Sequence, residues 1–260
     1  MRLHGGAMEQ KSIKRRLVPG MGGASIAVHE VGEGRPLLLL HGLMSSAQIN
    51  WIKYGHAQRL ADAGFRVIMP DFRAHGESAA PHDPAAYPPD VLAMDIEAVV
   101  AALELYDFDL AGFSLGARTS VRLIARGMAP RRLILAGMGL EGLFGWEQRS
   151  AFFLNAIDRF DVAKRGDRDY FVIQFMKSTG IDAVAVRLLL ESGGTIDEAA
   201  LARITMSTLV LCGEEDRDNG DPDALAVALP DATRATVPGG HMSSVTFPAL
   251  SEEMARFLAA

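Results

Sequence analysis

The sequence predicts an α/β fold built on a mostly parallel sheet, and three observations carry that prediction. Short runs that are apolar throughout alternate with stretches of helical length and pattern, Gly, Pro and Asp bound the runs, and the alternation covers most of the 260 residues with one interruption. A strand buried on both faces has no polar side to show, so it reads as an unbroken apolar run. Strands separated by helices pair in parallel through right-handed crossovers.

Two β-like stretches, near 13–18 and 25–31, come first and are expected as antiparallel edge strands. The buried strands follow as Leu37-Leu38-Leu39-Leu40, Arg66-Val67-Ile68-Met69, Asp109-Leu110-Ala111, Leu133-Ile134-Leu135-Ala136 and Leu209-Val210-Leu211-Cys212, and a short β-like stretch ends near Val237. A helix over 91–105 sets Val91, Met94, Ala98 and Leu105 near one face. A second, over 115–127, opens straight after a Gly-flanked turn, and a third, over 244–258, closes the chain. The alternation stops after Gly139. Residues 140–203 carry only helical patterns, such as Phe153, Ile157 and Phe160 at i, i+4 and i+7. They also hold eight of the 18 aromatic side chains (12 Phe, 4 Tyr and 2 Trp in all). The expectation is a helical cap at 140–203, inserted into a core made of 1–139 and 204–260, with an inner face lining an apolar pocket. A plain aromatic core accounts for the same density, and the two readings are compatible, since a small insertion must bury its apolar face on something.

Hydrophobic residues at 49% and charged residues at 22% suit a globular chain with a sizeable core. The formal charge is −6, from 26 basic and 32 acidic residues, and the longest basic run is Lys14-Arg15-Arg16. A mildly acidic surface repels phosphate backbones and anionic lipid, so the expected partner is a small molecule, with no nucleic acid and no membrane. The apolar runs are too short to cross a bilayer. Cys212 is the single cysteine, which rules out an intrachain disulfide, and its place at the end of a buried strand makes it inert. The first 18 residues lack the apolar stretch of a signal peptide, so a cytoplasmic protein is expected, with Met8 as a second candidate start. No metal-ligand cluster or dinucleotide fingerprint is present, and neither metal nor cofactor is expected.

The chemistry concentrates in a few places. Gly112-Phe113-Ser114-Leu115-Gly116 follows a strand and opens a helix, the setting of a nucleophile elbow. A serine on so sharp a turn needs neighbours without side chains, and the amide that follows it sits at a helix N-terminus, where donors favour an anion. A hydroxyl is a weak nucleophile until a base takes its proton. Among seven histidines His241 is the best placed, in the loop after Val237-Pro238-Gly239-Gly240 and ahead of the last helix. The imidazole in turn needs a carboxylate to orient it. Gly213-Glu214-Glu215-Asp216-Arg217-Asp218 follows the strand that ends at Cys212, and Asp216 is the choice there, with Asp218 second and the two glutamates a solvated turn. The preceding strand ends in Gly137-Met138-Gly139 and offers no acid. Amides of Leu43, after His41-Gly42, and of Leu115 are the candidate oxyanion donors.

With these motifs in view, the chain from Pro36 to its end resembles the α/β-hydrolase superfamily, in its capped esterase, carbon–carbon hydrolase and haloperoxidase-like branch. The resemblance rests on His41-Gly42, on Asp71-Phe72-Arg73-Ala74-His75-Gly76-Glu77-Ser78, on the elbow, on Gly213-Glu214-Glu215-Asp216 and on Gly240-His241. It implies an eight-stranded sheet flanked by helices and a serine hydrolase cleaving a small carboxylic ester through an acyl-enzyme. The alternatives are a carbon–carbon hydrolase, perhydrolase or lyase on the same triad, and, least favoured, a non-catalytic binder. Epoxide hydrolases and haloalkane dehalogenases use aspartate at the elbow, and Ser114 argues against both. The family's Asp-x-Arg-Gly-x-Gly-x-Ser loop is structural, which removes Arg73 and His75 from the catalytic candidates; Ala74 departs from the glycine expected there. Arg118, one helical turn after Ser114, also occurs in menaquinone-pathway lyase relatives, although a helical arginine more often serves solvation or an ion pair.

Overall fold

The computed structural model describes residues 11–260, so the candidate start at Met8 lies outside the described residues. Its strands are β1 (Lys14–Pro19), β2 (Ser25–Val31), β3 (Arg35–Leu40), β4 (Phe65–Pro70), β5 (Asp109–Phe113), β6 (Leu133–Ala136), β7 (Thr208–Gly213) and β8 (Ala232–Val237). They form one sheet in the order β1-β2-β4-β3-β5-β6-β7-β8. β1 with β2 and β2 with β4 are antiparallel, and every other neighbouring pair is parallel.

The two early strands divide differently from the expectation. Only β1 is an edge strand; β2 lies between β1 and β4. Their burial explains it: Ile26, Ala27, Val28 and Val31 of β2 are all buried, whereas β1 exposes Lys14, Arg15 and Arg16. Charged side chains on an edge discourage pairing with another chain.

The unbroken apolar runs split by strand pleat onto two faces. Leu38, Leu40, Leu110, Leu133 and Leu135 pack on one side with helices α2 (Val91–Ala102) and α3 (Leu115–Ala125). Leu37, Leu39, Ala111, Ile134 and Leu211 pack on the other with α1 (His56–Asp62) and the C-terminal helix. Between β6 and β7 lie α4 (Leu140–Phe144), α5 (Trp146–Asp158), α6 (Tyr170–Thr179) and α7 (Ala183–Ser192), then a 3₁₀ turn at Glu198–Arg203. Their apolar sides, among them Ile157, Ile173, Met176, Ala185 and Leu189, join the same core as α2 and α3. After β7 come α8 (Pro222–Ala228) and α9 (Ala249–Ala259).

Three helices are shorter than their patterns. α2 stops at Ala102, and Leu103 and Leu105 are buried from the turn that follows. α5 stops at Asp158, so Phe160 continues the apolar face from a loop. The closing helix starts at Ala249 rather than at 244, because Pro248 forces Phe247 into extended backbone (φ −95, ψ 132) and leaves only a 3₁₀ turn at Ser244–Thr246 before it. No helix among the described residues is long and apolar enough to cross a membrane.

Candidate active site

The loops after β3, β5, β6, β7 and β8 all leave the carboxyl ends of parallel strands, the end of an open α/β sheet where ligand crevices form. Ser114 is the first residue past β5, with φ 54 and ψ −111, a conformation that costs an L-residue on the order of 1–3 kcal/mol. The surroundings hold it there. Its amide donates to Ala136 O at 2.8 Å, and its carbonyl accepts the first helical bond of α3 from Arg118 N at 3.0 Å. A Cβ on Gly112 would strike the backbone of Gly116, and one on Gly116 would strike the Leu40 carbonyl. The two glycines therefore let the elbow helix close down on β3 and β5.

His241 Nε2 lies 3.1 Å from Ser114 Oγ, and His241 Nδ1 lies 2.9 Å from Asp216 Oδ2. An ionised carboxylate only accepts, so the ring proton sits on Nδ1 and Nε2 is free to accept from the serine hydroxyl. Burial pushes the Asp216 carboxyl upward, but the hydrogen bond and charge of His241, with the Asp218 amide, outweigh it and hold Asp216 below its ordinary value. Asp218 stands apart. Its side chain is exposed; its amide supports Asp216 Oδ1 at 3.1 Å, and its carbonyl accepts from Arg149. Among the described residues no acceptor faces the amide N–H of Leu43 or of Leu115, so both donors are available beside Ser114.

Sequence reasoning missed several contributors. Asn219, buried three residues beyond Asp216, donates to Gly137 O at 2.7 Å and stands 3.5 Å from Ser114 Oγ. Asn50 accepts from the Gly42 amide at 2.9 Å and fixes the loop that presents Leu43. Neither carries a local signal, since each acts only through contacts made across the fold. Arg118 is 5% exposed, stacks 4.5 Å from the Trp146 ring centroid and donates to Gly194 O at 2.5 Å. Burial, with the Arg122 charge, pushes its pKa down to about 9. Cys212 is buried behind the site, its thiol pushed up to about 11 by burial and by Asp216.

Loop 71–78 is scaffolding. Asp71 accepts from Ala47 N at 2.7 Å and Glu77 N at 2.9 Å, and Arg73 pairs with Asp95 at 2.8 Å. Ala74 has φ 66, a left-handed conformation that glycine adopts more easily than alanine. His41 and His75 act as neutral rings: each donates through Nδ1 to a backbone carbonyl, and their Nε2 atoms accept from Phe72 N and Met44 N, both at 2.9 Å.

Burial and the neighbouring His41 push the His75 pKa down to about 3 from the ordinary 6.5, and burial lowers His41 and His56 as well. The unfolded chain therefore takes up protons first as pH falls below 6.5. The stability that the neutral rings confer is complete above pH 6.5 and is lost as pH drops toward 3, His75 contributing on the order of 5 kcal/mol. Thermal melts should show Tm falling steadily from pH 7 to pH 5; a flat Tm over that interval would contradict the neutral assignment.

A cavity of about 820 Å³ opens on Ser114 and His241. Residues of 140–203 supply much of its wall, including Trp146, Phe153, Val172 and Phe175, opposite Leu43, Met44 and Ile49. Phe171 also borders it but is 79% exposed. No group of three or more His, Cys, Asp or Glu among the described residues is arranged to hold a metal ion.

A family model described as alpha/beta hydrolase fold matches residues 35–168, just over half of the chain. The chain belongs to that family. Among its relatives, an AB hydrolase superfamily protein (YisY) of Bacillus subtilis is 35% identical over 102 residues, 39% of this chain and 36% of that protein. The chain thus spans only about a third of the first curated relatives it matches. A 2-hydroxymuconate semialdehyde hydrolase of a Pseudomonas strain is 29% identical over 209 residues, 73% of each chain. An esterase from Rhodococcus superposes with a TM-score of 0.71 at 24% identity, covering 95% of this chain and 98% of that one, a likeness that speaks to the fold alone.

Proposed function

We propose that this protein is a serine hydrolase that cleaves a small carboxylic ester through an acyl-enzyme intermediate. One observation carries the reading: the continuous line from Asp216 through His241 to Ser114 Oγ, with bonds of 2.9 and 3.1 Å, ends on a strained serine beside two unengaged amides. On attack, the serine proton passes to His241 Nε2, Asp216 stabilises the imidazolium, and the Leu43 and Leu115 amides receive the oxyanion. The imidazolium protonates the departing alcohol; His241 then takes a proton from water as the water oxygen attacks the acyl carbon, and returns that proton to Ser114 Oγ as the acid leaves. The substrate is a small molecule with an apolar portion, and the segment 140–203 acts as the cap over it. The lone cysteine and the acidic surface suit a cytoplasmic location.

A series of 4-nitrophenyl esters from acetate to hexanoate tests this reading. Each desolvated methylene contributes about 0.8 kcal/mol, so kcat/KM should climb roughly fourfold per carbon until the pocket fills. Phe153→Ala and Phe175→Ala should flatten the climb; Phe171, mostly exposed, should matter less. A flat series, with those variants altering only Tm, would overturn the apolar-pocket assignment. Absence of any ester turnover beside specific phosphonate labelling of Ser114 would move the chemistry to carbon–carbon hydrolysis or another reaction of the same triad.

A further inference from the structure

The cavity beside Ser114 is apolar along much of its wall, yet three arginines border it: Arg118 from α3, Arg149 from α5 and Arg168 from the loop before α6. None of the three forms an ion pair among the described residues. Among the described residues the only carboxylate side chain on the same wall is Asp218, which is exposed to solvent. Arg118 is the most enclosed. Its Nε is buried without an acceptor, and its remaining engagements are the Gly194 carbonyl and the Trp146 ring, both uncharged. Arg149 spends one N–H on the Asp218 carbonyl and rests 5.6 Å from the Phe153 centroid, while Arg168 lies 5.3 Å from the Phe152 centroid.

An enclosed cation without a counter-ion in contact is costly, and protein interiors supply one or neutralise the group; here Asp90 acts on Arg118, and Asp218 and Asp216 on Arg149, only through longer-range attraction. Here the charge persists for Arg118 at neutral pH, even though burial brings its pKa down to about 9. Stacking on uncharged rings leaves most guanidinium donors free, and a planar fork of donors matches a carboxylate better than any neutral group. Low-dielectric walls strengthen the field of such charges inside a cleft. The chain's net charge of −6 makes this local excess of cation the more specific to the cavity.

We infer that the natural substrate is an anionic ester, one that carries a free carboxylate on a short apolar spacer from the scissile bond, received by Arg118 and Arg149 with Arg168 at the mouth. The inference rests on the ester-hydrolase reading for its chemistry, though not for its binding. Arg118 lies one helical turn from Ser114, so a carboxylate held there sets the scissile carbonyl a few methylenes away, in the span walled by Leu43, Trp146 and Phe153.

The test compares mono-4-nitrophenyl adipate with its neutral methyl ester, 4-nitrophenyl methyl adipate. The anionic ester should have the higher kcat/KM by on the order of tenfold or more, the worth of one charge-assisted hydrogen bond, and the ratio should shrink as ionic strength rises. Arg118→Gln and Arg149→Gln should each bring the ratio toward one, whereas Arg149→Lys should retain part of it. A wild-type ratio at or below one overturns the inference whatever the variants do. A binding arm separates this result from the fate of the ester reading: in Ser114→Ala protein, calorimetry should show adipate binding more tightly than dimethyl adipate. If no ester is turned over but that preference holds, the ester reading fails and the anion site stands. Tighter binding of the neutral diester, or binding of neither, overturns the anion site.

Discussion

Ser114→Ala should lower ester turnover on the order of 10⁴-fold or more while leaving the fold intact. In the proposed mechanism Oγ becomes acylated, so the residual rate should reflect binding and the oxyanion donors alone. The substitution removes one buried oxygen that accepts no bond needed for packing, and alanine tolerates the φ of 54 no worse than serine does. Tm should therefore stay close to wild type. A fluorophosphonate should label the native protein at Ser114 and leave the alanine variant unlabelled. Undiminished labelling of the variant would remove Ser114 from the mechanism.

Asp216→Asn should lower kcat on the order of 10²- to 10⁴-fold, and Asp218→Asn should stay within a few-fold of wild type. The two positions are two residues apart in one loop, and either change removes the charge and turns one acceptor oxygen into an N–H donor with little change of shape. Asp216 is 4% exposed and meets His241 Nδ1 at 2.9 Å; an asparagine amide there no longer dictates which ring nitrogen carries the proton. Asp218 contributes through its backbone, with its amide on Asp216 and its carbonyl on Arg149, and both survive the change to asparagine. Equal losses at the two positions, or the reverse ranking, would contradict the geometry. Steady-state kinetics with one activated ester decides it.

The parts of this molecule that local chemistry dictates were legible in the chain. Apolar runs buried on both faces announced the parallel strands, and the need for glycine around a strained turn announced the elbow at Ser114. Boundaries were less legible, because they depend on what the neighbouring chain covers. The pattern over 244–258 reads as one helix until Pro248 is weighed for its effect on Phe247, and Leu103 and Leu105 keep the apolar rhythm of α2 after the helix has ended. β2 reads as an edge strand from the sequence, yet its place beside β4 is settled by long-range pairing of Val28 with Pro70 and Val31 with Val67, which leaves no mark on the sequence. The site shows the same division. Ser114, Asp216 and His241 sit in loops whose order along the chain carries information, whereas Asn219 and Asn50 gain their roles from carbonyls and amides brought in from Gly137 and Gly42. Arg118 read as an ordinary helical arginine, and only its burial against Trp146 on the cavity wall distinguishes it.

Under the proposed mechanism Ser114 carries the acyl group during turnover. The most direct measurement mixes the protein with 4-nitrophenyl butyrate, quenches in acid within the first turnovers, and follows intact mass and peptide mapping. An added butyryl group on the peptide that contains Ser114, formed with a burst of nitrophenolate and lost as turnover completes, is the predicted result. Ester turnover with no acylated Ser114 at any quench time, or an acyl group mapped to another residue that forms and decays at the turnover rate, would contradict it.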